Sequence, residues 1–188
     1  MSKNEIIFPV HRPSMSELLF FLLCGAILSV PLTLFVQGQI ANQLISGVSA
    51  GAALFISVAI FAPLIEEFSK VFPLFYRHGE TQRSIVNLAI FVGLGFGTVE
   101  FLTYVFALGI DPIVRIPGLF FHPASVAIAA YGIAVKKPWI FYFMAVGLHF
   151  INNFLALVIS WFPVSVVVVI TTIVTAWQLR ARTKEKLI

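Results

Sequence analysis

The chain has 188 residues, 60% of them hydrophobic and 11% charged, with a mean hydropathy of +1.01 and 20 Phe. That composition excludes a water-soluble monomer, a disordered chain and a fibrous repeat. The net charge of +4, from 12 Lys and Arg against 8 Asp and Glu, points in so apolar a chain to an anionic lipid surface and not to nucleic acid.

Windows long enough to cross a bilayer, roughly 20 apolar residues each, predict an all-α polytopic membrane protein of six transmembrane helices, one domain over residues 1–188. The first window, residues 16–36, is longer than a signal-peptide core and no small-residue cleavage site follows it, so it reads as a retained span. It holds the only cysteine, Cys24, which has no partner in the chain. The others cover residues 47–76, 84–108, 116–135, 139–160 and 163–179. Between them the sequence predicts breaks at Gln37 to Ser46, Arg77 to Arg83, Gly109 to Arg115, Lys136 to Pro138 and a tight Trp161 to Pro163 turn. The Val-rich sixth window looks like a strand by propensity, but a strand exposed to lipid leaves backbone groups unpaired, which favours helix. Gly47 and Gly51 read as a helix contact. Gly93, Gly95 and Gly97 resemble a fragment of a nucleotide-binding turn, yet no strand precedes them and they read as helix packing.

Charge sets the orientation. With the N-terminus in the cytoplasm, the inner segments hold Lys3, Arg12, Arg77, Arg83, Lys136, Lys137, Arg180, Arg182, Lys184 and Lys186, and the outer ones only Arg115. Basic residues concentrate in cytoplasmic loops, so both termini are expected there. His11 and His78 read as solvated flank residues, and the Arg180 to Lys186 tail as a stop signal and headgroup contact.

The informative residues are the ionisable ones left inside the spans: Glu66, Glu67 and Lys70 in the second, Glu100 in the third, His122 in the fourth and His149 in the fifth. A charge near the bilayer centre costs at least about 2.5 kcal/mol, so such groups face a bundle interior or cavity. All but Lys70 lie within about four residues of a window centre, roughly 6 Å at the helical rise. They can therefore meet in one polar pocket. At 100° per residue Lys70 falls between Glu66 and Glu67 one turn on, within reach of both. Glu100 shares a face with Gly93 and Gly97, Ser125 and Ala129 lie on the side of His122, and Asn152 and Asn153 are one turn from His149. Pro63 frees the Ala59 carbonyl and bends the second helix near this depth.

Hydrolysis of a peptide within a membrane needs an activated water, a stabiliser for the oxyanion and a proton donor for the leaving amine. Two versions of the set supply them. In one, a carboxylate among Glu66, Glu67 and Glu100, with Glu67 and Glu100 the candidates named first, binds Zn²⁺ together with His122 and His149, leaving a position for water, while another glutamate is the base. In the other, without metal, Glu67, or second Glu66, takes a proton from a water held by the histidines, and Asn153 orients His149 or faces the substrate carbonyl. Lys70 holds or tunes the glutamate pair. The soluble zinc-protease motif HExxH is absent.

These residues also carry a resemblance. Glu66-Glu67-Phe68-Ser69-Lys70 matches EExxK, Phe96 to Glu100 matches FxxxE, Arg115 precedes His122 by seven, and His149 to Asn153 matches HxxxN. In that order, over about Pro63 to Asn153, the chain resembles the PrsW family of intramembrane proteases. The related CAAX-protease group has EExxxR and FxxxH, whereas here Val71 and Glu100 stand at those positions. Phe101 follows Glu100 where the PrsW-like motif commonly has Asn. The resemblance implies site-1-type cleavage of a membrane-anchored regulator such as an anti-sigma factor, with Glu66, Glu67, Glu100, His122 and His149 in the site; the family has been described both as metallo-type and as glutamic-type. A proton- or cation-coupled transporter using the same Glu/His relay and a non-catalytic immunity or sensor protein are the rival readings.

Overall fold

The computed structural model describes residues 12–44, 47–76, 81–158 and 162–188. Lys3, His11, Arg77, His78, Ser160 and Trp161 lie outside them, and with them the predicted first breaks' polar ends and the start of the last turn. Six helices are long and apolar enough to span a membrane: α1 (Met15–Ala41), α2 (Ala50–Tyr76), α3 (Gln82–Ala107), α4 (Pro112–Ala134), α5 (Pro138–Val158) and α6 (Pro163–Ala181). Among the described residues no strand forms beyond an isolated bridge between Thr81 and Leu187. The chain is an all-helical, multi-pass membrane protein, and the valine-rich last span is helical as lipid requires.

Helix starts lie at polar caps that hydropathy does not see. Ser14 and Glu17 form a reciprocal capping box at α1, Ser49 accepts from the Ala52 N–H at α2, and Thr81 from the Ser84 N–H at α3. Asp111 accepts from the Ile113 N–H, and Pro112, with no N–H to satisfy, opens α4. That helix therefore begins before the predicted 116 and takes Arg115 into its first turn. At the other end of the first span the helix runs past the predicted break at Gln37 to Leu44, because Gln and Ala are good helix formers and nothing there stops it.

Wide π-helical turns interrupt α1 at Cys24–Ser29, α2 at Ile56–Phe61 and α3 at Thr103–Ala107. The one in α2 lies just before Pro63, whose ring nitrogen cannot donate to the preceding turn. Two side chains of α5 hold this irregular stretch: Asn153 Nδ2 donates to the Val58 carbonyl at 2.9 Å and the Tyr142 hydroxyl to the Leu64 carbonyl at 2.7 Å. The turn carrying Glu66 and Glu67 is thereby fixed against α5.

At the centre of the bundle α3 and α4 pack through Val86, Leu88, Ala89 and Val92 against Val126, Ile128 and Ala130, all fully buried. Glycines set the spacing. A Cβ on Gly93 would sit 2.4 Å from Pro123 Cα, one on Gly95 1.9 Å from the Leu22 carbonyl oxygen, and one on Gly25 2.0 Å from that of Val92. Small residues let these backbones touch, as membrane helix packing demands. Gly47 and Gly51 do not form the expected helix contact: a Cβ on either meets nothing within 4 Å, and Gly47 has φ +99°, the turn before α2.

One face of the bundle gathers the start of α3, the α4–α5 link and the C-terminal tail. Gln82 N–H donates to the Lys186 carbonyl at 2.9 Å, Gln82 Nε2 to the Ala134 carbonyl at 3.3 Å and Arg180 Nε to Asn87 Oδ1 at 2.8 Å. The basic tail is thus folded onto the start of α3. Arg12, Arg83, Lys136, Lys137 and Arg180 to Lys186 share this face, the segregation that the charge count predicts.

Candidate active site

Glu67 is fully buried, and so is Lys70 three residues on. An ammonium has three N–H donors and no acceptor. Those of Lys70 point at Glu67 Oε1 at 2.6 Å, His122 Nδ1 at 3.0 Å and Ser125 Oγ at 3.2 Å. Ser125 in turn donates to Glu67 Oε1 at 3.0 Å. The expectation that Lys70 reaches both glutamates is corrected: its three donors are taken by Glu67, His122 and Ser125, and Glu66 lies against His149 of α5 instead.

The two histidines are held in opposite senses. Because Lys70 donates to His122 Nδ1, a neutral His122 carries its proton on Nε2, which faces Glu100 Oε2 in a short hydrogen bond. His149 Nδ1 donates to Glu67 Oε1 at 2.8 Å, which leaves the Nε2 lone pair open, 3.7 Å from Glu66 Oε2. The ring centroids are 5.6 Å apart, with Phe121 packed edge-on against both. Gly97 on α3 lets the His122 ring approach, since a Cβ there would meet its Cδ2 at 3.3 Å.

Glu100 is clamped from its other oxygen by Arg115 NH2 at 2.8 Å, and the Arg115 guanidinium lies 3.6 Å from the centre of the Tyr104 ring. A cavity of about 340 Å³ lies beside these groups, lined by Glu100, Arg115, His122, His149, Asn152 and Asn153 with apolar residues of α4, α5 and α6. Its lining comes from the first half of α4, the second half of α5 and the first half of α6. It therefore occupies the half of the bundle remote from the basic face.

Six of the seven predicted site residues, Glu66, Glu67, Lys70, Glu100, His122 and His149, meet through four helices. Asn153 lines the same cavity, but its amide N–H goes to Val58 on the π turn. Ser125 and Arg115 stand outside the predicted site residues, although Arg115 is among the residues that carry the resemblance. Ser125 was visible as a hydroxyl on the His122 face; Arg115 was assigned to a loop because a hydropathy window cannot recognise Asp111-Pro112 as a helix start. Asn152, whose buried Oδ1 has no hydrogen-bond partner, lines the cavity beside Asn153.

For a metal, the donor set divides. Glu66 Oε2 and Glu67 Oε2 are buried carboxylate oxygens with no hydrogen-bond partner, and His149 Nε2 has a free lone pair, all suited to a divalent cation. Glu100 and His122 are engaged with each other and with Arg115 and Lys70. Among the described residues no three His, Cys, Asp or Glu side chains are gathered as a ligand set. The donors still open to a cation face each other at Glu66 and His149.

No curated protein and no solved structure matches the chain. The family model described as PrsW family intramembrane metalloprotease matches residues 13–178, which span α1 to α6 and every residue of the site. The convergence of glutamates and histidines on a cavity inside six membrane-spanning helices is what such an enzyme needs, and the chain belongs to the PrsW family of intramembrane metalloproteases.

Proposed function

We propose that this protein, acting as one transmembrane unit with both termini in the cytoplasm, hydrolyses a peptide bond of a membrane-anchored protein near the outer side of the bilayer, with Glu66 as the general base. The observation that carries this reading is the pairing of an open His149 Nε2 with Glu66 Oε2 beside a cavity in the half of the bundle away from the basic face. Glu67, first choice as base from the sequence, is wholly enclosed and accepts three hydrogen bonds on one oxygen. It serves better as the anchor that holds His149 and Lys70.

In this reading a water rests between His149 Nε2 and Glu66 and gives its proton to Glu66 as it attacks the scissile carbonyl. The developing oxyanion faces Arg115, whose guanidinium is held by Glu100 and whose buried Nε–H has no hydrogen-bond partner. Glu66 then returns the proton to the leaving amine. A metal, if bound, would be held by Glu66 and His149 and would supply Lewis-acid polarisation and a more acidic water, with Glu66 then a ligand instead of the free base; binding, orientation and oxyanion stabilisation remain with the side chains named. Asn153 acts by holding the π turn of α2, which keeps Glu66 opposite His149.

Cleavage on the outer side fits site-1-type processing, and a single-span regulator such as an anti-sigma factor is the substrate class the reading favours. The test is purified protein in liposomes with single-span substrates bearing an outer-side juxtamembrane segment, the products mapped by mass spectrometry. Cuts in the outer half of the substrate that vanish with Glu66→Gln are expected. Cuts in the cytoplasmic half, or none with any single-span substrate while proton flux is measured, would refute it.

A further inference from the structure

On the basic face, remote from the proposed site, lies a cavity of about 610 Å³ lined by Arg12, Arg83, Asn87, Ile90, Arg180 and Glu185 among others. It faces three guanidiniums against one carboxylate. Two of the guanidiniums are positioned by neutral acceptors: Arg180 Nε donates to Asn87 Oδ1 at 2.8 Å, and Arg83 NH2 to the Thr183 carbonyl at 2.9 Å. Glu185 is 3.7 Å from Arg83 and also accepts from the Thr81 hydroxyl. Three arginines about one carboxylate, which Arg83 shares with the Thr81 hydroxyl, leave the pocket an excess of positive charge, the chemistry that receives a phosphate.

A second, apolar cavity of about 260 Å³ shares Ile90 and Arg180 with the first and runs into the membrane-spanning part between α3, α4 and α6, past Phe120, Ala127, Ile173 and Trp177. Basic pocket and apolar groove thus adjoin at Ile90 and Arg180. We propose that they form one binding site for an anionic phospholipid, its phosphate among Arg12, Arg83 and Arg180 and one acyl chain along the groove past Trp177, one turn from Arg180, towards Ile173 and Phe120. Charge decides the headgroup: a zwitterionic lipid brings a cation into a pocket that already carries an excess of two positive charges, whereas phosphatidylglycerol or a similar anionic lipid complements it. The same turn of α4 that gives Phe120 and Pro123 to the groove turns His122 to the other side, so the lipid packs against the back of the helix that carries a site histidine.

The test uses Trp177 as reporter in full-length protein with Trp139→Phe and Trp161→Phe, reconstituted in phosphatidylcholine with a few per cent of lipid brominated on its acyl chain. Brominated phosphatidylglycerol is expected to quench Trp177 at several-fold lower mole fraction than brominated phosphatidylcholine. Arg12→Gln, which leaves the Asn87 and Thr183 contacts intact, and Arg180→Gln should each reduce that preference on the order of five-fold, the effect of one basic residue near a membrane surface. Lys136→Gln, outside the pocket, should leave it unchanged. Equal quenching by the two lipids, or a preference that survives both arginine changes, would overturn the proposal. Loss of the preference on adding millimolar inorganic phosphate would assign the pocket to a free anion and overturn it as a lipid site; persistence is expected.

Discussion

Glu67→Gln separates anchoring from catalysis. The substitution keeps volume and one acceptor oxygen, so contacts to Ser125 and His149 can persist. It leaves the Lys70 ammonium, 0% exposed and 2.6 Å from the former carboxylate, with neutral partners alone. Removing one member of a buried ion pair costs about 3–5 kcal/mol, and the retained acceptors place this case near the lower figure. For a chain of this size each kcal/mol moves Tm by about 2–4 °C, so a fall of about 6–12 °C is expected. Adding Lys70→Met removes the stranded cation and should recover most of that loss, giving a coupling energy of about 2 kcal/mol or more. Thermal unfolding of wild type, both single variants and the double variant in one detergent measures the cycle. A Glu67→Gln protein that melts within 2 °C of wild type, or a double variant that recovers nothing, would refute the anchoring argument.

Glu66→Gln should leave Tm unchanged within 2 °C and lower turnover by about 10²–10⁴-fold, the usual contribution of a general base; comparable turnover in a cleavage assay would remove Glu66 from the mechanism. Zinc content of purified protein should fall in His149→Ala and persist in His122→Gln, because only the first ring presents a free Nε2; elemental analysis showing the reverse would contradict the ring assignments. Arg115→Ala should lower kcat at least ten-fold with KM little changed, since it acts on the oxyanion and on Glu100, whereas an effect on KM alone would make it a binding residue. Gly95→Ala drives a methyl into the Leu22 carbonyl, and α1 must separate from α3 at about 1–3 kcal/mol, read as a lower Tm; an unshifted Tm would show that the two helices do not meet there.

What the sequence reveals here follows from the cost of burying charge. Six expensive side chains on four apolar spans have one economical arrangement, facing one another, so their convergence is legible before any coordinate is known. Which atom faces which is another matter. Helical phase places Lys70 near both glutamates but cannot choose between them; that choice depends on α4 approaching closely enough, at Gly93 and Gly97, to present His122 Nδ1 and Ser125 to the ammonium. Arg115, a motif residue of the resemblance, reads as a loop residue for a different reason, since apolar windows register the middle of a helix and its cap is polar. The consequence reaches the chemistry. Once Lys70 selects the His122 tautomer and Glu67 selects that of His149, two identical residue types acquire opposite roles, one donor and one acceptor, across a gap of 5.6 Å between ring centroids. That asymmetry leaves Glu66, and not its neighbour Glu67, facing the open nitrogen.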